Sequence, residues 1–157
     1  MTVKALVRRA HTDDAVLVGR LLYDFNVEFD TPTPSAAEFA ERFADLLVRD
    51  DVLVLLAGAD EADATGFAFL TLRPTPYYAG PLAQLEELYV RPALRDAGIG
   101  TALLTAAVQQ VRERGAQEMH IGVDEVDTDT RRFYERHGFT NIEPGQDYRM
   151  LLYLQEF

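Results

Sequence analysis

One stretch of this chain constrains the fold more than any other: a strand, a loop, a helix and a second strand that follow one another across residues 83–123. Leu82 to Val90 is an apolar, β-favouring run, and Pro92 ends it by removing a ladder donor. From Gly98 to about Arg114, one apolar helical stripe runs through Gly100, Leu103, Leu104, Ala107, Val108 and Val111, with Gly115 as the C-cap. Met119, Ile121 and Val123 then alternate with Glu118, His120 and Gly122 as another strand. Two strands joined through a helix require a crossover and so lie parallel. A ligand at such a pair sits at the strand C-termini, where the following helix also points its N-terminus.

The remaining segments predict a mixed sheet in an α/β sandwich. Val3 to Arg9 alternates as a first strand, and Thr12-Asp13-Asp14 offers cap chemistry for a helix through Leu17, Leu21, Leu22 and Phe25 to about Asn26. Asp30 to Thr33 breaks the helical pattern. Ser35 with Glu38 then forms a capping box for a helix to about Arg49, whose Phe39, Phe43, Leu46 and Leu47 face the core. Val52 to Ala57 and Gly66 to Leu72 predict an antiparallel hairpin around Gly58, Asp60, Glu61 and Asp63, followed by a loop rich in Pro and Tyr. A short helix is expected at about 129–137, closed by Gly138. Phe139 to Ile142 and Arg149 to Tyr153 are expected as two final strands around Glu143-Pro144-Gly145. At 157 residues, without an internal repeat or linker, one domain over 1–157 is expected.

Composition narrows the chemistry. With no cysteine, thiolate nucleophiles, disulfides, Cys-ligated zinc and iron–sulfur clusters are excluded. A formal net charge of -11 disfavours a nucleic-acid surface and mildly favours small cationic partners, although it also serves solubility. The N-terminal residues are too short and interrupted for a signal-peptide core and no run approaches a membrane span, so a soluble cytoplasmic protein without membrane partners is expected. His11, His120 and His137 form no metal-ligand pattern, and Asp124, Glu125, Asp127 and Asp129 lack the spacing of a calcium loop; no metal is expected.

The loop Arg95-Asp96-Ala97-Gly98-Ile99-Gly100 lies where the parallel unit would place an anion. The first N–H groups of a helix have no intrahelical partner and sit at the positive end of its dipole. Gly98 and Gly100 lack the Cβ atoms that would hold a pyrophosphate away, and Arg95 can supply a guanidinium fork. A glycine-softened helix start fits the same six residues. Gly100 is followed by Thr101 and Ala102, with no P-loop lysine, which argues against ATP or GTP. Leu103 stands where a dinucleotide fingerprint needs its third Gly or Ala, which argues against a nicotinamide cofactor.

The pattern Arg/Gln-x-x-Gly-x-Gly/Ala after a strand ending in Val resembles the GNAT superfamily of acetyl-CoA-dependent N-acetyltransferases. The resemblance runs through Leu85-Glu86-Glu87-Leu88-Tyr89-Val90-Arg91-Pro92, then Arg95 to Gly100, then Phe133-Tyr134-Glu135-Arg136-His137-Gly138-Phe139. It implies a mixed, mostly antiparallel sheet with one splayed parallel pair and helices on both faces. It further implies that the backbone from Arg95 through Asp96, Ala97, Gly98, Ile99 and Gly100 to Thr101 holds the coenzyme A pyrophosphate. The strand edge Leu88-Tyr89-Val90 would pair with the pantetheine arm, and the Val90 N–H would polarise the thioester carbonyl. Asp127 stands where many relatives carry a cofactor-contacting Asn; it also fits as a helix cap.

For the chemistry, the resemblance assigns Tyr134 as the acid that protonates the departing thiolate, with Phe133 as a core aromatic. A phenol of pKa about 10 is protonated at neutral pH and suits that task. An alkylammonium acceptor must lose a proton, and Glu86 and Glu87 are the candidate bases. In a regular strand they face opposite sides, Glu86 with Leu88 and Val90, Glu87 with Tyr89. An acid at the position of Glu86 in some amine-acetylating relatives favours Glu86. The family's acceptor region points to Tyr23, Asn26, Glu28, Asp30, Tyr77 and Tyr78, which offer carboxylates and aromatic faces to a cation. The expected activity is direct acetyl transfer from acetyl-CoA to an amine in a ternary complex, without a covalent enzyme intermediate. A small cationic amine or amino-acid derivative is favoured over a protein N-terminus or lysine. A non-catalytic acyl-CoA-binding module stands as the alternative, and a homodimer is common among similar proteins.

Overall fold

The computed structural model describes residues 6–58 and 63–157. The start of the expected first strand and the Asp60-Glu61 turn lie outside the described residues. The chain divides into two compact units, the first ending at His120 and the second running from Ile121 to Phe157.

The sheet has every strand neighbouring the next in sequence: β1 (Val7–Arg9), β2 (Val52–Ala57), β3 (Gly66–Arg73), β4 (Leu82–Val90) and β5 (Met119–Ile121). The first three pairings are antiparallel. β4 and β5 form the one parallel pair, with the N–H of Ala83 donating to the carbonyl of Glu118 at 3.1 Å where both strands begin. The crossover between them is α3 (Ile99–Glu113), as the apolar stripe predicts.

β2 is buried along its whole length, so its side chains divide by alternation between two layers. Val52, Val54 and Leu56 join Phe67 of β3 and Tyr89 of β4 under two helices, α1 (Ala15–Glu28) and α2 (Ala36–Leu46), which contribute Val18, Leu21, Leu22 and Phe43. Leu53, Leu55, Ala68, Leu70 and Leu85 alternate onto the other face, where α3 carries the buried Leu103, Leu104, Ala107 and Val111.

The capping box of α2 forms as its spacing predicts: the Glu38 N–H donates to the Ser35 hydroxyl at 3.2 Å, and the Ser35 N–H donates to the Glu38 carboxylate at 2.8 Å. The start of α1 differs from expectation. Thr12–Asp14 makes a 3-10 turn, and Asp14 accepts from the His11 N–H at 2.9 Å and from the Arg8 guanidinium instead of capping the helix with its side chain. The Arg8 hydrogen bonds hold the Asp14 carboxyl below its usual range.

The register of β4 changes partway along. Phe69 faces Glu87 but Leu70 faces Leu85, so Glu86 has no partner on β3 and is the extra residue of a β-bulge.

In the second unit, α4 (Thr128–Arg136) starts on Asp127, whose carboxylate accepts from the Thr130 N–H at 3.2 Å. The two expected final strands are not formed: residues 137–157 contain no strand. Local bonds take the place of a ladder. The Ile142 N–H donates to the Thr140 hydroxyl, which itself donates to the Ile142 carbonyl, and a single backbone bond joins the Met150 N–H to Asn141. Side-chain hydrogen bonds of this kind compete with sheet pairing, and a lone two-stranded hairpin is marginal in water.

Candidate active site

The loop after β4 is shaped by its own residues. Pro92 opens a 3-10 turn over Pro92–Leu94, Arg95 returns to extended backbone, Asp96 takes φ 62° and Gly98 takes φ 85° immediately before α3. Positive φ is a strain for Asp96 and none for glycine. The N–H groups of residues 96–100 donate to no acceptor among the described residues, and a Cβ built on Gly98 would meet nothing within 4 Å. Free donors, the positive end of a helix dipole and open space in front of them suit a pyrophosphate.

The Arg95 fork is directed elsewhere. Both terminal nitrogens reach the Glu28 carboxylate at 2.8 Å, while Nε donates to the Val90 carbonyl at 2.9 Å. The guanidinium lies 5.9 Å from the Phe29 ring centroid and 5.8 Å from that of Tyr89. Arg91 makes a second tie, donating to Asp24 at 3.1 Å and to the Ala64 carbonyl at 3.1 Å. Two acids one helical turn apart on α1 thus meet two arginines four residues apart after β4, fixing the loop to the helix. The i, i+4 spacing shared by Asp24 with Glu28 and by Arg91 with Arg95 is the signal of this clamp in the sequence, and no role for Asp24 or Arg91 follows from it without the structure.

The bulge decides how the two glutamates stand. Glu86 is exposed and accepts from the Thr71 hydroxyl at 2.6 Å, and Thr71 lies on the face of Phe69 and Phe67. Glu87, opposite Phe69, lies on that same face. The expectation that Glu86 shares a face with Leu88 and Val90 is therefore corrected, because the extra residue cancels the alternation on which it depended. Glu87 is half-buried, and burial together with the neighbouring Glu86 charge pushes its pKa up to about 7.

Tyr89 is buried and stacks on Phe25 with ring centroids 4.8 Å apart, and its backbone is paired with Phe67 of β3, so of the three expected edge residues it is the one turned away from β5. The Arg91 N–H donates to Thr65 on the β3 side at 2.9 Å. By alternation, the peptide groups of Val90 and Leu88 point to the β5 side.

The acceptor candidates separate into two groups. Tyr23, Asn26, Glu28 and Asp30 cluster on the last turns of α1 and just beyond, with Asn26 donating to the Thr33 hydroxyl at 3.1 Å and Asp30 at φ 51°. Tyr77 and Tyr78 lie in the loop before β4, where the Tyr78 hydroxyl donates to Glu118 at 3.3 Å. The length of β4, roughly 26 Å at 3.3 Å per residue, separates that loop from the Arg95 end.

In the second unit Tyr134 is buried, with Phe133 at 5.2 Å and Phe139 at 5.6 Å edge-on to its ring. Phe133 is the more open of the pair and packs 4.5 Å from the His137 ring, so the core role expected for Phe133 falls to Tyr134. His137 Nδ1 bonds the Phe133 carbonyl at 2.7 Å. His120 pairs with Glu118 at 2.7 Å, and no cluster able to hold a metal occurs among the described residues.

A mixed α/β sheet with one parallel pair, and a helix N-terminus open to an anion at the end of β4, define the class of fold and its candidate site. The chain belongs to the acetyltransferase (GNAT) family, whose sequence model matches residues 19–139. It is an acetyl-CoA-dependent N-acyltransferase. It is 33% identical over 115 residues to an aminoglycoside N(6')-acetyltransferase type 1 from Klebsiella aerogenes, covering 72% of this chain and 75% of that protein. A crystal structure of a provisionally assigned acetyltransferase from Arthrobacter sp. FB24 matches with 48% identity and a TM-score of 0.91, over 100% of this chain and 98% of that one. An aminoglycoside acetyltransferase, meta-AAC0020, from an uncultured soil metagenomic sample shares the fold at 22% identity and a TM-score of 0.79, over 98% and 97% of the two chains.

Proposed function

We propose that this protein transfers an acetyl group from acetyl-CoA to a small cationic amine, with Glu87 as the base. The observation that carries the reading is the half-buried Glu87 carboxyl, pushed up to about 7 on the strand that leads into the anion-binding loop. An ammonium of pKa about 10 lies some six units above an ordinary glutamate but only about three above this one, so proton removal is correspondingly less uphill.

Acetyl-CoA supplies the activated thioester. The N–H groups of residues 96–100 hold its pyrophosphate, and the β5-facing peptide groups of Leu88 and Val90, at a splay between β4 and β5, hold the amide-bearing arm. The Val90 N–H donates to the carbonyl oxygen as negative charge develops there. Tyr134 gives its phenolic proton to the departing sulfur. Asp127 caps α4, one carboxylate oxygen accepting from the Thr130 N–H. The last turns of α1, with Tyr23, Asn26 and Asp30, form one side of the acceptor site. The aminoglycoside acetyltransferase relative supports a polyamine-like acceptor class.

Release of free thiol from acetyl-CoA across a panel of small amines, amino-acid derivatives and lysine peptides tests the proposal. Turnover is expected on small cationic amines, with Tyr134→Phe lowering kcat by about 10²-fold while acetyl-CoA binding is kept. Cofactor binding without turnover on any amine would instead establish a non-catalytic acyl-CoA-binding module.

A further inference from the structure

At the end of the sheet away from the cofactor loop lies a cleft of about 760 Å³, lined by Arg9, Asp50, Asp51, Arg73 and Arg114 over a floor that includes Leu72 and Pro81. The topology gathers these residues. β1 runs toward the start of β2 and ends opposite Leu55, β3 ends beside the start of β4, and the C-terminus of α3 returns to the same end. We propose that this cleft is a second ligand site, taking a small polyanion that carries phosphate or carboxylate groups.

The cleft is cationic against the balance of the chain. Fifteen cationic side chains are spread through a chain of net charge -11, yet three guanidinium groups converge here. Asp51 is neutralised by a bidentate pair with Arg49 at 2.8 and 2.7 Å, leaving Asp50 as the one opposing carboxylate in the lining. The guanidinium groups of Arg9 and Arg73 make no hydrogen bond or ion pair among the described residues. Arg114 gives one N–H to the Asp50 carbonyl at 3.2 Å and is held below its ordinary pKa, first by burial and next by the charge of Arg9. Unpaired like charges held together are a cost that a bound anion removes.

The cleft is also built on close backbone contacts. A Cβ on Gly80 would stand 2.1 Å from the Gly115 carbonyl oxygen, so the loop before β4 is pressed directly on the end of α3. The Arg114 bond to Asp50 ties the segment before β2 to the same helix end. The arginines therefore project from a framework already in place, and its size suits a metabolite rather than a lone ion.

Calorimetry on the full chain saturated with coenzyme A, which occupies the cofactor loop, tests the site with two probes: inorganic pyrophosphate and citrate. At least one is expected to bind with a Kd below about 1 mM, and the double variant Arg9→Gln/Arg73→Gln is expected to weaken it by at least about tenfold. Preference between the probes separates a phosphate ligand from a polycarboxylate. Absence of binding by both, or unchanged affinity in the double variant, overturns the proposal. Should the double variant melt below the parent, Arg73→Lys, which keeps the charge and removes the fork, must still lower affinity for the preferred probe. Amine turnover is measured separately, so failure here leaves the acetyl-transfer reading standing and the reverse also holds.

Discussion

Glu87 illustrates how position within a strand sets the chemistry of a side chain. Its pKa is raised, so its sign with pH is the reverse of a salt-bridged carboxylate. Below about 4.5 both the folded and the unfolded protein carry it protonated and it costs nothing; from there to about 7 the unfolded chain ionises first, and stability is lost. Glu87→Gln removes that loss. Its melting temperature should match the parent at pH 4 and exceed it by several degrees at pH 8, a difference read by thermal melts across the range. In the parent, kcat/KM should rise with pH to a limb centred near 7, and the variant should lose the limb together with about 10²-fold in rate. The pair of adjacent glutamates was visible in the chain, but the choice between them was not. Favouring Glu86 followed from a likeness to relatives, whereas exposure and the Thr71 hydroxyl set Glu86 apart from the half-buried Glu87 only once β3 lay alongside.

At the scale of elements, local chemistry was the legible part. The Ser35–Glu38 box, the Gly115 turn at φ 90° and the β2 run each carry their cause within a few residues. What failed depended on distant partners. Nothing near Glu86 announces a bulge, because the ladder belongs to two strands, and the expected pair after Phe139 lost its donors to the Thr140 hydroxyl and the turn. The loop after β4 yields a direct test. Gly98→Ala must place an L residue at φ 85° and project a methyl group before the free N–H groups. The conformational cost is about 1 kcal/mol, so the protein should stay folded while coenzyme A binding, followed by calorimetry, weakens by about tenfold.

Across the whole molecule, the acidic balance acts at a distance. A net charge of -11 raises the local concentration of cations, and salt screens that effect. Raising ionic strength from about 0.05 M to about 0.5 M should increase KM for a cationic amine several-fold with little change in kcat, and should leave KM for an uncharged amine unaltered. Steady-state kinetics at the two salt levels checks this. No helix among the described residues is long and apolar enough to cross a membrane.

The unpaired Glu86 also makes β4 a strand of two phases, one counted from Leu82 to Leu85 and the other from Glu87 to Val90. Deleting that single residue would place Leu85 directly before Glu87, and their partners Leu70 and Phe69 are already consecutive on β3. The ladder would become regular with every pairing and every face kept. Deleting any other residue between Glu87 and Val90 would instead turn the side chains on one side of the gap to the opposite face. Tolerance to deletion along β4 should therefore peak at position 86, the one place where a shorter strand is also a regular one.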